Sequence, residues 1–450
     1  MPSTMSILQT LRTIFNARSG PDVSSIGGLA AAMADHDGYT REAALRRAAE
    51  LASPELVPAI AERLNDWVPQ VRTQAREVLL GMLPSLDQEQ ALRLLPAVHH
   101  LYQTGRADHS AWIAAFERAL IEHTGPQAII ERLLDPDVHL ARACCKLVET
   151  YRLAPPEAVI ARLLPATRDI VLAKQAVEAI FDLPEPAREP LFRQALVSGF
   201  GMVRAIALRP VLSEASVEND ALAIRMASDL QPWVRLIASA YLKRRGMDVA
   251  AILADALRTD GANSTRLRAC LAGLAEQGSI DRLDLVRDHT RHRMARVQLA
   301  AYAAWLRLEP SRRDEIALDA LRSPHRRVRK FVLQLVREEG AYIETQTALS
   351  LMAVHDDVDM MFALSRREPW SWLDLILQMA PRAGQDAALR GRLERELDEW
   401  LQDSARMYVK PSPAQRALFE SGEAIRTFAE LLKTDAPSMA RRLRFELGEA

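Results

Sequence analysis

A chain of 450 residues with 58 Lys and Arg against 59 Asp and Glu has a formal charge of −1, which excludes a protein that is polybasic or polyacidic throughout. Apolar residues make up 49% and aromatics only 5%; with Ala, Leu and Arg prominent and β-branched runs scarce, this is a helical composition. No window approaches ~18 uninterrupted apolar residues, so no membrane-spanning helix is expected.

At the start, MPSTMSILQTLRTIF lacks the long apolar core and small-residue cleavage site of a secretory signal, and residues 1–23 are expected to form a capping helix. From Ile26 to Ala52 the chain reads as helix, polar turn, helix, with the break at Asp35 to Gly38. The next pair is clearer. Pro54 to Asn65 forms one helix, with Pro58 in its first turn where a missing amide costs little. Asp66-Trp67-Val68-Pro69 forms the turn, and Val71, Ala75, Val78 and Leu79 form the apolar stripe of the second helix. A longer unit, Asp87 to Gly125, departs from this pattern.

Beyond it the register is steady. Val138, Val171, Val203, Val234, Leu267, Val297, Val328 and Val358 are spaced 30 to 33 residues apart and are expected to open the second helix of successive pairs. Each has apolar companions at helical spacing, such as Ala141 and Cys145, Ile206 and Ala207, Cys270 and Leu271, or Phe331 and Val332. In Ser228 to Gly246, Val234, Ile237, Ala238, Tyr241 and Leu242 make one stripe, while Arg235, Ser239 and Lys243 lie off it. One helix pair cannot bury such a stripe, but stacked copies bury one another. Gly or Pro marks most joints, among them Gly125, Pro155, Gly246, Gly278, Pro310 and Gly340. Cys144, Cys145 and Cys270 lie in apolar helical stretches without metal-ligand spacing, which fits small core residues and a reducing cytoplasm.

After Pro369 the pattern changes to WSWLDLILQMAP, a charge-laced amphipathic stretch and a terminal helical pair. Residues 367–450 therefore read as a helical C-terminal cap that covers an exposed end layer. Trp370 and Trp372, beside Tyr408 to Pro411, are candidate docking anchors, because aromatics dominate interface hot spots.

A turn Asp, then Val-Arg, then an Ala-rich helix, as in Asp66 to Val71-Arg72 and Asp229 to Val234-Arg235, resembles the HEAT-repeat family and its short bacterial HEAT-like relatives over residues 24–366. The resemblance implies an all-α, right-handed α-solenoid of about ten or eleven stacked antiparallel helix pairs, a superhelix whose second helices line the concave side. It also implies a ladder between neighbouring repeats through Asp66, Arg72, Asp229 and Arg235. Support is weaker for Arg204 and Arg329, whose turns lack the Asp, and the ladder is expected to break after Val138 and Val171. The period is shorter than the ~40–47 of typical HEAT units, but tetratricopeptide and ankyrin signatures are absent.

No Walker A loop, GxGxxG, GxSxG or HExxH occurs. His99-His100 lacks a third metal ligand, and Asp356, Asp357 and Asp359 read as a solvated helix cap. Bilin lyases and small DNA glycosylases are HEAT-like enzymes, and Trp67 with Asp66 or Trp233 with Asp229 would be the residues to cast in that role. Neither pair matches a transferable motif, and a turn Trp is expected to pack on the neighbouring layer. The expectation is a non-catalytic protein-binding scaffold with no cofactor, metal or small-molecule substrate.

Charge places the candidate surface. Between Arg235 and Glu339 lie 21 Lys or Arg against 13 Asp or Glu, an excess of eight positive charges that leaves −9 on the rest. Arg266 and Arg268, then Arg291, Arg293 and Arg296, then Arg326, Arg327, Arg329 and Lys330 recur across three layers. Such a strip suits an acidic protein surface or a phosphate backbone. With no exposed aromatic expected beside it, an acidic protein partner is preferred and nucleic acid is the alternative.

Overall fold

The computed structural model describes residues 25–259, 263–403 and 409–447; the expected capping helix at residues 1–23 lies outside them. Every regular element among the described residues is helical, and no described helix is long and apolar enough to cross a membrane. The chain divides into two compact units, Met1–Asn219 and Asp220–Ala450.

In the first unit, helix pairs follow one another and pack on their neighbours: Ile26–Met33 with Gly38–Leu51, Val57–Arg63 with Pro69–Met82, then a three-helix layer of Gln88–Arg93, Leu95–His100 and Ser110–Thr124. Pro126–Glu131 with Val138–Tyr151, Pro156–Ala166 with Ile170–Ala179, and Glu185–Ala195 with Gly201–Val211 continue the series. In the second unit the pairs include Val249–Thr259 with Ser264–Gln277, Leu283–Asp288 with Ala295–Leu308, Arg313–Leu321 with Arg326–Glu338, and Thr345–Val354 with Val358–Ser365. Gly278 ends Ser264–Gln277 at φ 67°, a left-handed backbone that glycine adopts without a Cβ penalty.

One local device sets the register. A polar side chain opens the turn between the helices of a pair and accepts the backbone N–H two residues on, as Asp66 does from Val68 at 2.9 Å, Asp229 from Gln231 at 2.8 Å and Ser323 from His325 at 3.2 Å. The residue five positions after it is the first buried side chain of the next helix. Val71, Val203, Val234, Val297 and Val328 occupy this position, all fully buried. The residue six positions on then reaches back to the carbonyl of the opening residue: Arg72 to Asp66 at 2.6 Å, Arg204 to Ser198 at 2.7 Å, Arg235 to Asp229 at 2.7 Å, Gln298 to His292 at 2.6 Å and Arg329 to Ser323 at 3.1 Å. A buried carbonyl without a partner costs about 1–3 kcal/mol, so a long side chain with a terminal N–H donor is what this position needs.

Three expected anchors shift under this rule. Val171 is 41% exposed, and Val138 and Val358 are half-buried; Leu140, Leu172 and Phe362 take the buried places. For Val138 and Val171 the reason is an added acid. Asp137 and Asp169 cap their helices by accepting from His139 and Val171. The residues that open those turns are Asp135 and Thr167, which accept the N–H groups of Asp137 and Asp169.

The ladder also differs from the expectation. Asp66 is bonded from the preceding layer by Arg41, Nε to Oδ2 at 2.8 Å and Nη2 to Oδ1 at 2.7 Å, with both side chains 1% exposed. Arg235 takes Glu276 as its carboxylate partner, Nε to Oε2 at 2.9 Å. Arg329, weakly supported by its sequence context, makes a buried rung to Asp357 at 2.7 Å. Between Arg142 and Asp169 the rung persists one position later, at the place where a break was expected. In the next unit Ser323 donates its hydroxyl to Gln298 at 2.7 Å, a neutral rung.

At the irregular layer, Arg76 donates to His109 Nδ1 at 2.6 Å, which leaves the proton of the neutral ring on Nε2. Burial first, and then the positive charge of Arg76, hold this imidazole below its ordinary 6.5. The folded state therefore binds fewer protons than the unfolded chain, and stability falls as pH drops below 6.5 until the folded group titrates. His109→Gln should reduce the loss of urea resistance between pH 7.5 and 5.5. His292, lowered likewise by burial and then by His289 and Arg293, keeps part of the slope. An unchanged pH dependence in the variant would refute this assignment.

Candidate binding edge

The nine basic residues singled out by charge are not equivalent in the structure. Arg329 is 5% exposed and belongs to the rung with Asp357, so it is a structural residue. Arg266 and Arg268 are half-buried, and Arg266 Nε reaches Ser228 Oγ at 3.2 Å. Arg326 is exposed but paired with Asp357 at 3.3 Å and with Asp359. Arg291, Arg293, Arg296, Arg327 and Lys330 are exposed and form no ion pair among the described residues.

Two of these cations stand in the first turn of a helix, where their charge is electrostatically disfavoured, and Arg293 just precedes one of those helices. Arg296 is the second residue of Ala295–Leu308 and Arg327 the second of Arg326–Glu338, and neither helix has a side-chain cap. The first turn of a helix carries the positive end of its dipole and unpaired N–H groups, so a cation there is unfavourable and an anion is attracted. Three helices of the first unit differ: Gly38–Leu51, Val138–Tyr151 and Ile170–Ala179 each begin behind a capping Asp. His325 joins the two cationic turns by donating Nε2–H to the carbonyl of Arg293 at 3.0 Å.

Trp233, Arg266, Arg296 and Arg327 each immediately precede the buried anchor of their helix, Val234, Leu267, Val297 and Val328. They therefore occupy one register position in Pro232–Arg244, Ser264–Gln277, Ala295–Leu308 and Arg326–Glu338, four alternate helices of the second unit. Trp233 is 62% exposed, with Leu230 and Leu236 exposed nearby. For Trp233 this corrects the expectation that a turn tryptophan packs on the neighbouring layer, and that the strip lacks an aromatic neighbour. Trp67, though 67% exposed, does meet the neighbouring layer, its ring centroid 5.2 Å from the Arg41 guanidinium of the preceding helix pair. The usable sign for Trp233 was its place immediately before the first apolar position of a stripe, which faces outward.

The proposed docking tryptophans point inward. Trp372 is 3% exposed and donates Nε1–H to Glu396 at 2.9 Å, and Arg366 and Arg392 bond the same carboxylate. Trp370 is 6% exposed, donates to the Val409 carbonyl at 2.7 Å and packs edge-on against Trp400. Both indoles hold the last helices together, so they present no exposed anchor.

The sequence matches no protein-family model and no curated protein. Among solved structures it aligns with an engineered protein from the Northeast Structural Genomics Consortium, with a TM-score of 0.20 and 12% identity over 91% of this chain and 99% of that one. It also aligns with a homology model of the full-length AP-3 complex in an intermediate open conformation, at 0.21 and 12% over 99% and 93%. Overlays this weak bear on neither fold nor function.

Among the described residues no cluster of three or more His, Cys, Asp and Glu is placed to hold a metal ion. Cys144 and Cys145 are buried and their thiols are pushed up to about 12, chiefly by that burial, so neither supplies a thiolate near neutral pH. Asp357 is held below its ordinary range: burial opposes ionisation, but Arg329 and Arg326 outweigh it.

Proposed function

We propose that the protein is a non-catalytic scaffold of the HEAT-like kind, a right-handed stack of helix pairs, which recognises an acidic protein surface along the edge marked by Trp233, Arg293, Arg296, Arg327 and Lys330. The observation that supports this reading is the set of exposed arginines without ion pairs at uncapped helix starts. Their placement opposes the helix dipole, and a carboxylate-bearing partner would supply the missing counter-charge. Arginine and tryptophan are also the side chains most enriched among interface residues that dominate affinity. A cytoplasmic setting suits a protein with three reduced, buried cysteines.

The exposed Trp233 also gives a second reading specific support, because nucleic-acid sites pair basic tracks with stacking aromatics. The two readings separate on defined probes. The full chain should be retained on immobilised polyglutamate at low salt. Arg293→Glu, Arg296→Glu and Arg327→Glu together should abolish that retention, with melting no lower than the parent because the new carboxylates favour the helix starts. Arg307→Glu with Arg337→Glu, at the opposite ends of the same two helices, should retain binding. Elution of the strip variant with the control would refute the edge. Preferential retention on duplex DNA, with a steep salt dependence and sensitivity to Trp233→Ala, would select nucleic acid instead.

A further inference from the structure

The irregular layer of the first unit builds a second cationic surface that the edge does not involve. The helix Leu95–His100 packs on Val138–Tyr151, and a cavity of about 460 Å³ beside them is lined by His99, His100, Tyr102, His139, Arg142 and Lys146. No carboxylate is among its lining residues. Three of the chain's 10 histidines meet here. His139, Arg142 and Lys146 fall at i, i+3 and i+7 of one helix, so they share a face turned toward the other two.

Several of these groups are held in place. Lys146 Nζ sits 3.6 Å from the centroid of the Tyr102 ring. Arg142 donates Nε and Nη2 to the buried Asp169, the latter at 2.9 Å, which fixes its guanidinium and leaves Nη1 without a protein partner among the described residues. His99 donates Nε2–H to Glu117 at 2.7 Å, and Tyr151 donates its hydroxyl to the other oxygen of that carboxylate at 2.9 Å. Glu117 is 3% exposed. It therefore fixes the orientation of the ring with the proton on Nε2, so the neutral ring turns an acceptor, Nδ1, outward, and the donors are Arg142 Nη1, Lys146, His139 and His100.

We propose that this cavity binds a phosphomonoester group. A phosphomonoester has nearly two negative charges near neutral pH and three terminal oxygens that accept from different directions, which matches donors converging from two helices. A carboxylate, with a single charge and a planar pair of oxygens, would satisfy fewer of them. The volume lies within the ~300–1,000 Å³ of small-molecule sites, and the Tyr102 ring with Pro96 offers an apolar wall for the organic part.

Phenyl phosphate, inorganic phosphate and, as a neutral control, phenol are titrated into the full chain while the histidine ring proton resonances are followed. Both phosphates should shift the resonances assigned through His99→Gln, His100→Gln and His139→Gln saturably, and phenol should not. Lys146→Met with His139→Gln, both on exposed side chains, should weaken phenyl phosphate at least about tenfold with helical content and melting unchanged, since surface substitutions seldom alter stability much. The variant of the basic edge should bind as the parent does, so the two proposals fail separately. A phosphoserine peptide that outcompetes phenyl phosphate would assign the same chemistry to a partner's side chain, and the reverse order to a free ester. Shifts that do not saturate, that chloride reproduces at equal ionic strength, or that survive the double variant would overturn the proposal.

Discussion

Arg41→Met should destabilise the first unit by about 3–5 kcal/mol, the largest loss expected from removing one polar side chain, because it strands a buried carboxylate. Arg41 and Asp66 are each 1% exposed and joined by two parallel bonds. The same guanidinium donates Nη1 to the carbonyls of Asp35 and His36 at 2.8 and 3.0 Å, so one substitution also removes two bonds to the backbone. Asp66 keeps only its bond to the Val68 N–H and a contact at 3.6 Å from Arg63. Adding Asp66→Asn should recover a large part of the loss. The amide oxygen can still accept from Val68, and no charge remains buried. Urea unfolding followed by hydrogen exchange over residues 25–82 measures both effects. If the single and double variants were equally destabilised, the pair would act through packing and its charge would be incidental.

That rung shows where the sequence was legible and where it was not. The spacing from Asp66 to Arg72 is visible as a motif, and the reach of Arg72 to its own turn carbonyl follows from it. The partner of Asp66 lies 25 residues upstream, in the helix Gly38–Leu51 where Thr40 stands in place of Val, and only the stacked layers bring it near. Glu396 is less legible still. It collects Trp372, Arg366 and Arg392 from positions up to 30 residues away, and nothing local marks it as buried. The two tryptophans looked like anchors because hydrophobicity alone does not say whether a large side chain faces a partner or a neighbouring helix. His99 and Glu117 came from an interval that reads as a departure from the repeat, and Tyr151 reaches them from the following helix pair. A site assembled across irregular turns leaves no periodic trace. Charge in register was readable, but burial was not, and so Arg329 stood with the surface arginines until its contact with Asp357 was seen.

Leu172→Asp and Val171→Asp are neighbouring substitutions that should have opposite outcomes. Counted from Asp169, Val171 is the natural opening residue of its helix; counted five positions from Thr167, which accepts the Asp169 N–H, the inward residue is Leu172. The structure follows the second count, with Leu172 1% exposed and Val171 41% exposed. A carboxylate at 172 would lie among buried neighbours such as Ala173, Ala176 and Val177 with no cation provided, and either the unsolvated charge or the pKa shift that neutralises it works against folding. The cost should exceed about 4 kcal/mol, enough to unfold the layer and its immediate neighbours. Val171→Asp replaces a half-solvated methyl pair by a carboxylate in the first turn of Ile170–Ala179, a location the helix dipole favours. It should change the melting temperature by no more than a few degrees. Val234→Asp, at an anchor where the motif and the structure agree, should match Leu172→Asp in severity within its own unit, and Arg235→Ala should cost less. A severe effect at 171 with a mild one at 172 would show that the helix is rotated by about 100° from its described orientation, and the register rule would fail for every turn that begins with a second acid.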